Sequence, residues 1–135
     1  MRRLSPVLIL AFAALLLAVA GCGGSDESDE ESATPAEAVT EIDEIKTMLA
    51  TAVNQMRAGD ADAAEETVGD AYLEHFEHVE HPLGEEDHEL MEELEEAIST
   101  DLRNDIKDGK SADEIQAEVA AITTDLDQAV EVLQG

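Results

Sequence analysis

Imidazole and carboxylate crowd into one short stretch of this chain. All four histidines, His75, His78, His81 and His88, lie between Glu74 and Glu89, among Glu74, Glu77, Glu80, Glu85, Glu86 and Asp87. These two side-chain types form the common ligand pair for transition metals, and an iron, copper or zinc ion suits such a mixture. The candidate metal ligands are therefore Glu74, His75, Glu77, His78, Glu80, His81 and His88.

Their spacing limits how they can act together. His75, His78 and His81 recur every three residues, and each such step drifts back by about 60° on a helix. The three histidines sweep about 120° and cannot share one face. Pairs can: Glu74 with His78, and Glu77 with His81, stand four residues apart, close enough to chelate one ion. His75 falls beside the apolar stripe and is expected to point inward, supporting the ligands. His78 is expected at the stripe's edge, beside Ala71. A turn at Pro82-Leu83-Gly84 is expected to return His88 to the level of His78. The expected site thus sits where the second and third helices meet.

Other readings of the segment stay open. In a chain with 34 acidic residues out of 135, glutamate beside histidine follows from composition alone. The histidines then form a solvated surface, or a pH-sensitive cluster titrating near neutrality. A di-iron oxidase site needs two Glu-x-x-His motifs on separate helices. Only Glu85-Glu-Asp-His88 has that form. No serine elbow, phosphate-binding glycine loop or EF-hand calcium loop is present. Binding is expected rather than catalysis, so the chain is not read as an enzyme.

The elements that must position these groups are helices. Thr34-Pro35-Ala36-Glu37 is a capping box with proline at the first helical position. Val39, Ile42, Ile45, Leu49, Val53 and Met56 follow at helical spacing until Gly59. Asp60 caps a second helix carrying Ala64, Val68, Ala71, Tyr72, Phe76 and Val79, which Pro82 and Gly84 are expected to break. A third carries Leu90, Leu94, Ile98, Leu102 and Ile106 and stops at Asp108-Gly109. Ser111-Ala-Asp-Glu114 opens a fourth, with Ile115, Val119, Ile122, Leu126, Val130 and Leu133. Four amphipathic helices joined by short loops predict an all-α, antiparallel up-down four-helix bundle over 34–135.

The N-terminus predicts an address. Arg2 and Arg3 precede an unbroken apolar run from Val7 to Ala20, the length of a signal-peptide core rather than a membrane span. Val19-Ala20-Gly21-Cys22 resembles a lipoprotein lipobox. This predicts a signal peptide over 1–21 and a lipid on Cys22, the one cysteine of the chain. Residues 22–33 hold no large apolar side chain and read as a disordered acidic tether. The protein is then expected on the extracytoplasmic face of the cell membrane, anchored without spanning it. Loss of Arg2 and Arg3 with the signal takes the formal charge from −27 to −29. Such a surface repels nucleic acid and attracts cations and basic partners. The acidic, lysine-poor composition resembles that of secreted proteins from halophiles.

The segment Ala71-Tyr-Leu-Glu-His-Phe-Glu-His-Val-Glu-His-Pro-Leu83, with Asp87-His-Glu-Leu-Met-Glu-Glu-Leu94 and Leu102-Arg103, resembles a known module. It is similar to the extracytoplasmic helical domain of some iron permeases and to related haloarchaeal lipoprotein modules. Tyr72, Phe76, Glu77 and Glu80 match the Tyr-x-x-x-Phe-Glu-x-x-Glu core of that pattern, and Arg103 a later arginine. The resemblance implies an accessory role in metal uptake or redox traffic, beside a membrane permease or a cupredoxin-like partner. From the residues alone, a metal-free interaction module with a salt-adapted acidic surface remains the other expectation.

Overall fold

Residues 33–135 are described by a computed structural model. The expected signal peptide (1–21), lipidated Cys22 and all but the last residue of the tether (22–33) lie outside the described residues. Within them the chain is all-α. Four helices run in order: α1 (Pro35–Ala58), α2 (61–86), α3 (88–107) and α4 (Ala112–Gln134). Each packs on its neighbours in the chain, and α4 closes against α1, giving the antiparallel up-down bundle. No described helix is long and apolar enough to cross a membrane.

Local chemistry sets the helix ends. The Thr34 hydroxyl accepts from the Glu37 amide, and the Glu37 carboxylate accepts from the Thr34 amide at 2.8 Å. Ser111 and Glu114 repeat this box at the start of α4. Gly59 and Gly109 take φ +82°, a left-handed conformation that glycine adopts without a Cβ penalty, and so end α1 and α3.

The core is aliphatic and contains no buried charged side chain among the described residues. Ile42, Ile45 and Leu49 of α1 meet Leu94, Ile98 and Leu102 of α3 and Ile115 and Leu126 of α4 in one cluster, with Phe76 its largest member. Val39 and Met56, expected in the stripe, are only partly buried at its edge.

Proline and glycine do not break α2 where the sequence predicts. The helix continues through Pro82 and Gly84 to Glu86. One turn remains beyond Pro82, so a single backbone bond is lost there, against the burial of Pro82 and Leu83. The stop is Asp87, at φ −146° and ψ 88°, whose carboxylate accepts from the Leu90 amide at 3.1 Å and caps α3. Glu85-Glu-Asp-His88 therefore straddles the turn.

Two π-turns interrupt the middle helices, at Ala71–Phe76 in α2 and Ala97–Asp101 in α3. The buried positions explain both. In α2 they include Ala64, Val68, Ala71, Phe76, Val79 and Leu83, with a step of five from Ala71 to Phe76. Five residues of regular α-helix would carry Phe76 about 140° away from Ala71. In α3, Leu90, Leu94, Ile98, Leu102 and Ile106 recur every four residues and are all buried. Four such steps drift by about 160° in a regular helix. A π-turn accommodates one extra residue and removes about 100° of that drift. The apolar side chains stay on the core at the cost of a widened turn.

Cations are few, and each is committed. Lys46 pairs with Asp127 at 2.5 Å, joining α1 to α4, and Arg57 bonds Gln116 across the same interface. Arg103 and Lys107 of α3 both grip Glu65 of α2, at 2.5 and 3.0 Å. Lys110 pairs with Asp105 and lies 3.9 Å from Glu118 of α4. These five are all the basic side chains of the described residues.

Candidate functional site

The histidines do not gather. His75, half-buried in the π-turn of α2, places Nδ1 2.6 Å from Glu41 Oε2 on α1. His78 is exposed and lines a concavity with Glu37 and Glu41 at the start of α1. His81 stands 3.8 Å from Glu85, one turn on in the same helix. His88 lies 3.3 Å from Glu92 of α3, and its Nδ1 approaches Gly84 across the turn. Glu74 is exposed. Each ring except His78 thus has its own carboxylate. Among the described residues, no three His, Cys, Asp or Glu side chains are grouped to hold an ion as they stand.

Elsewhere a phenol sits among carboxylates on one flank of α2, and the π-turn is the cause. On a regular helix Glu80 would lie about 80° from Tyr72 and Glu77 about 140°. The extra residue in the turn swings both back by about 100°, onto the Tyr72 side. By spacing alone Glu77 and Glu80 leave the apolar stripe. They leave it for this flank of α2, which faces α3.

Tyr72 is the centre of the group. Its ring stacks on Phe76, with centroids 6.0 Å apart and planes 26° from parallel. Its hydroxyl lies 3.4 Å from Glu95 Oε1 on α3 and donates toward that carboxylate. Burial, with the charges of Glu80 and Glu95, pushes the phenol up to about 12. It therefore stays protonated and serves the carboxylates as a donor. Burial also raises the Glu80 carboxyl above its ordinary value; the nearby Tyr72 hydroxyl opposes the rise, and the charges of Glu95 and Glu77 add to it. Glu80 Oε1 is shielded from solvent and has no hydrogen-bond partner. An acceptor left in this way is costly unless something fills its place.

Two members of the group were not in the sequence-derived set. Tyr72 reads as core from its spacing to Phe76, and its ring is indeed packed there while its hydroxyl is not. Glu95 lies on another helix, so no local spacing connects it to Glu80. The available signal was the unbroken four-residue ladder from Leu90 to Ile106, which foretells a π-turn beside it.

Arg103, which matches the family-like pattern, faces Gly69, one turn before Tyr72 on α2. Its guanidinium lies over Gly69, where an added Cβ would come within 3.4 Å, and its Nε donates to Glu65 at 2.7 Å. It ties α3 to α2 and does not reach the carboxylate group through any ion pair among the described residues.

No family model matches the chain, and neither a curated protein nor a solved structure is significantly similar to it.

Proposed function

We propose that this chain is a lipid-anchored, extracytoplasmic accessory that binds iron at Tyr72, Glu77, Glu80 and Glu95 and presents it to a membrane partner. The observation that carries the reading is the shielded, partnerless Glu80 oxygen beside two further carboxyl groups and a phenol. Carboxylates and a phenol are hard oxygen donors, suited to a hard cation such as iron(III) and poorly suited to copper(I). Zinc and copper are better served by the histidines, which are spread over separate glutamates. The residues thus fit iron as cargo, with side-chain rotation bringing the carboxylates onto it. The role is binding and transfer, not catalysis. Attachment through Cys22 and a permease or cupredoxin-like partner belong to this proposal, resting on the lipobox and the family-like pattern.

Titration of the protein with iron(III) nitrilotriacetate, followed by calorimetry and visible absorption, tests it. Saturable uptake with a phenolate-to-iron band is expected. Tyr72→Phe removes the band, and Glu80→Gln weakens binding by about tenfold or more. The variant His78→Ala/His81→Ala/His88→Ala leaves both unchanged. Absence of saturable uptake, or full uptake by Glu80→Gln, defeats the reading.

The separation of the histidines favours a second reading, a metal-free acidic interaction module. It predicts that native protein purified without chelators carries no stoichiometric metal, and that Glu80→Gln leaves partner binding intact.

A further inference from the structure

Leu73 is the one large hydrophobic side chain exposed among the described residues, at 56% of its surface. Isolated exposed leucines are common on protein surfaces. This one is set apart by its surroundings. It lines a concavity of about 450 Å³ on the outer side of the π-turn, between α2 and the Arg103 side chain of α3. Gly69 lines it too, and a Cβ there would meet the Arg103 guanidinium at 3.4 Å, an ordinary contact distance.

The charges around the concavity select its occupant. Asp62, Glu66 and Asp70 recur every four residues on the exposed side of α2 and lead toward Leu73. None of the three has an ion-pair partner among the described residues, because Arg103 and Lys107 are both spent on Glu65. The result is a row of carboxylates one helical turn apart, ending at an apolar side chain in a hollow. We infer that this face docks a basic amphipathic segment of a partner protein. Lysine or arginine side chains would follow the row, and one apolar residue would enter the hollow against Leu73. Complementary charge would guide and orient the encounter, and the apolar contact would fix the register. The inference does not depend on iron binding, and its test contains no metal.

Amide chemical shifts of the mature protein, recorded at physiological ionic strength with a lysine–leucine amphipathic helical peptide, test it. Shifts are expected to cluster on 62–73 and around Arg103. Leu73→Asp should weaken binding by about tenfold, and Asp62→Lys/Glu66→Lys/Asp70→Lys by more. The control Asp43→Lys/Glu44→Lys/Glu131→Lys makes the same charge change on another face and should weaken it far less. Equal loss in both triple variants, or unchanged affinity in Leu73→Asp, overturns the inference in favour of unspecific attraction. Concentration-dependent self-association abolished by Leu73→Asp overturns it in favour of a second copy of this chain.

Discussion

His75 Nδ1 and Glu41 Oε2 lie 2.6 Å apart, and this half-buried contact pins the π-turn of α2 to the N-terminal third of α1. The ring belongs to the bundle's own bonding. Glu41→Ala should lower the free energy of unfolding by about 1 kcal/mol, the usual worth of such a contact. His75→Gln should do much the same and leave iron uptake untouched. Denaturant titration and calorimetry on the two variants check this. Loss of uptake in His75→Gln would move the ring into the binding group.

Glu118 carries a pH dependence of definite sign. Burial pushes its carboxyl up to about 7, helped by a hydrogen bond and repulsion from Asp105 and opposed by Lys110. Lys110 in turn holds Asp105 below the usual carboxylate range. An unfolded glutamate titrates near 4.3, about which the folded chain still keeps its proton. Between that value and about 7 the native state binds more protons than the unfolded one, so stability from this residue falls as pH rises. Glu118→Gln should therefore stabilise the protein near pH 8, by on the order of 1 kcal/mol, and change little near pH 4. Thermal melts at the two pH values measure it.

Deleting Glu74 should leave the fold standing. The π-turn holds one residue more than a regular turn, and Glu74 is an exposed member of it. Its removal lets α2 run as a continuous α-helix, with Phe76, Val79 and Leu83 still facing the core. The prediction is unchanged helical circular dichroism and a melting temperature equal to the parent's or higher. Unfolding of the deletion variant would show that the π-turn itself, not register alone, is needed.

The two capping boxes sit at opposite ends of the bundle, so their effects should add. Thr34→Ala and Ser111→Ala should each lower stability by about 1 kcal/mol, and the double variant by about their sum. A markedly larger loss in the double variant would mean that α1 and α4 fray together.

The helices were legible because capping boxes, glycine stops and aliphatic stripes all pointed the same way. Pro82 misled because a local rule about donors ignores what burial of its ring and Leu83 returns. The π-turns are present as spacing, in the step from Ala71 to Phe76 and the ladder from Leu90 to Ile106, which a regular helix of 3.6 residues per turn does not accommodate. Half of the oxygen group was legible. Glu77 and Glu80 were in the candidate set, whereas Tyr72 was assigned to packing and Glu95 joins only through the α2–α3 contact. His75, expected to face inward, is half-buried against Glu41 of α1. That His81 and His88 each meet a glutamate one turn ahead on their own helix is the ordinary outcome in a chain so rich in carboxylates.

The five fixed cations of the described residues are all engaged, which leaves most of the carboxylates there without protein counter-charge. Neutralisation has to come from dissolved ions, so the solution acts as a missing component of the fold. In brine the repulsion among unpaired acids is screened over a few ångströms, whereas in dilute buffer it reaches across the whole bundle. Melting temperature should climb with potassium chloride and fall on dialysis, more steeply than the few ion pairs could account for by weakening. The salinity of its surroundings would then set how firmly the four helices hold, and with them the distance from Tyr72 to Glu95.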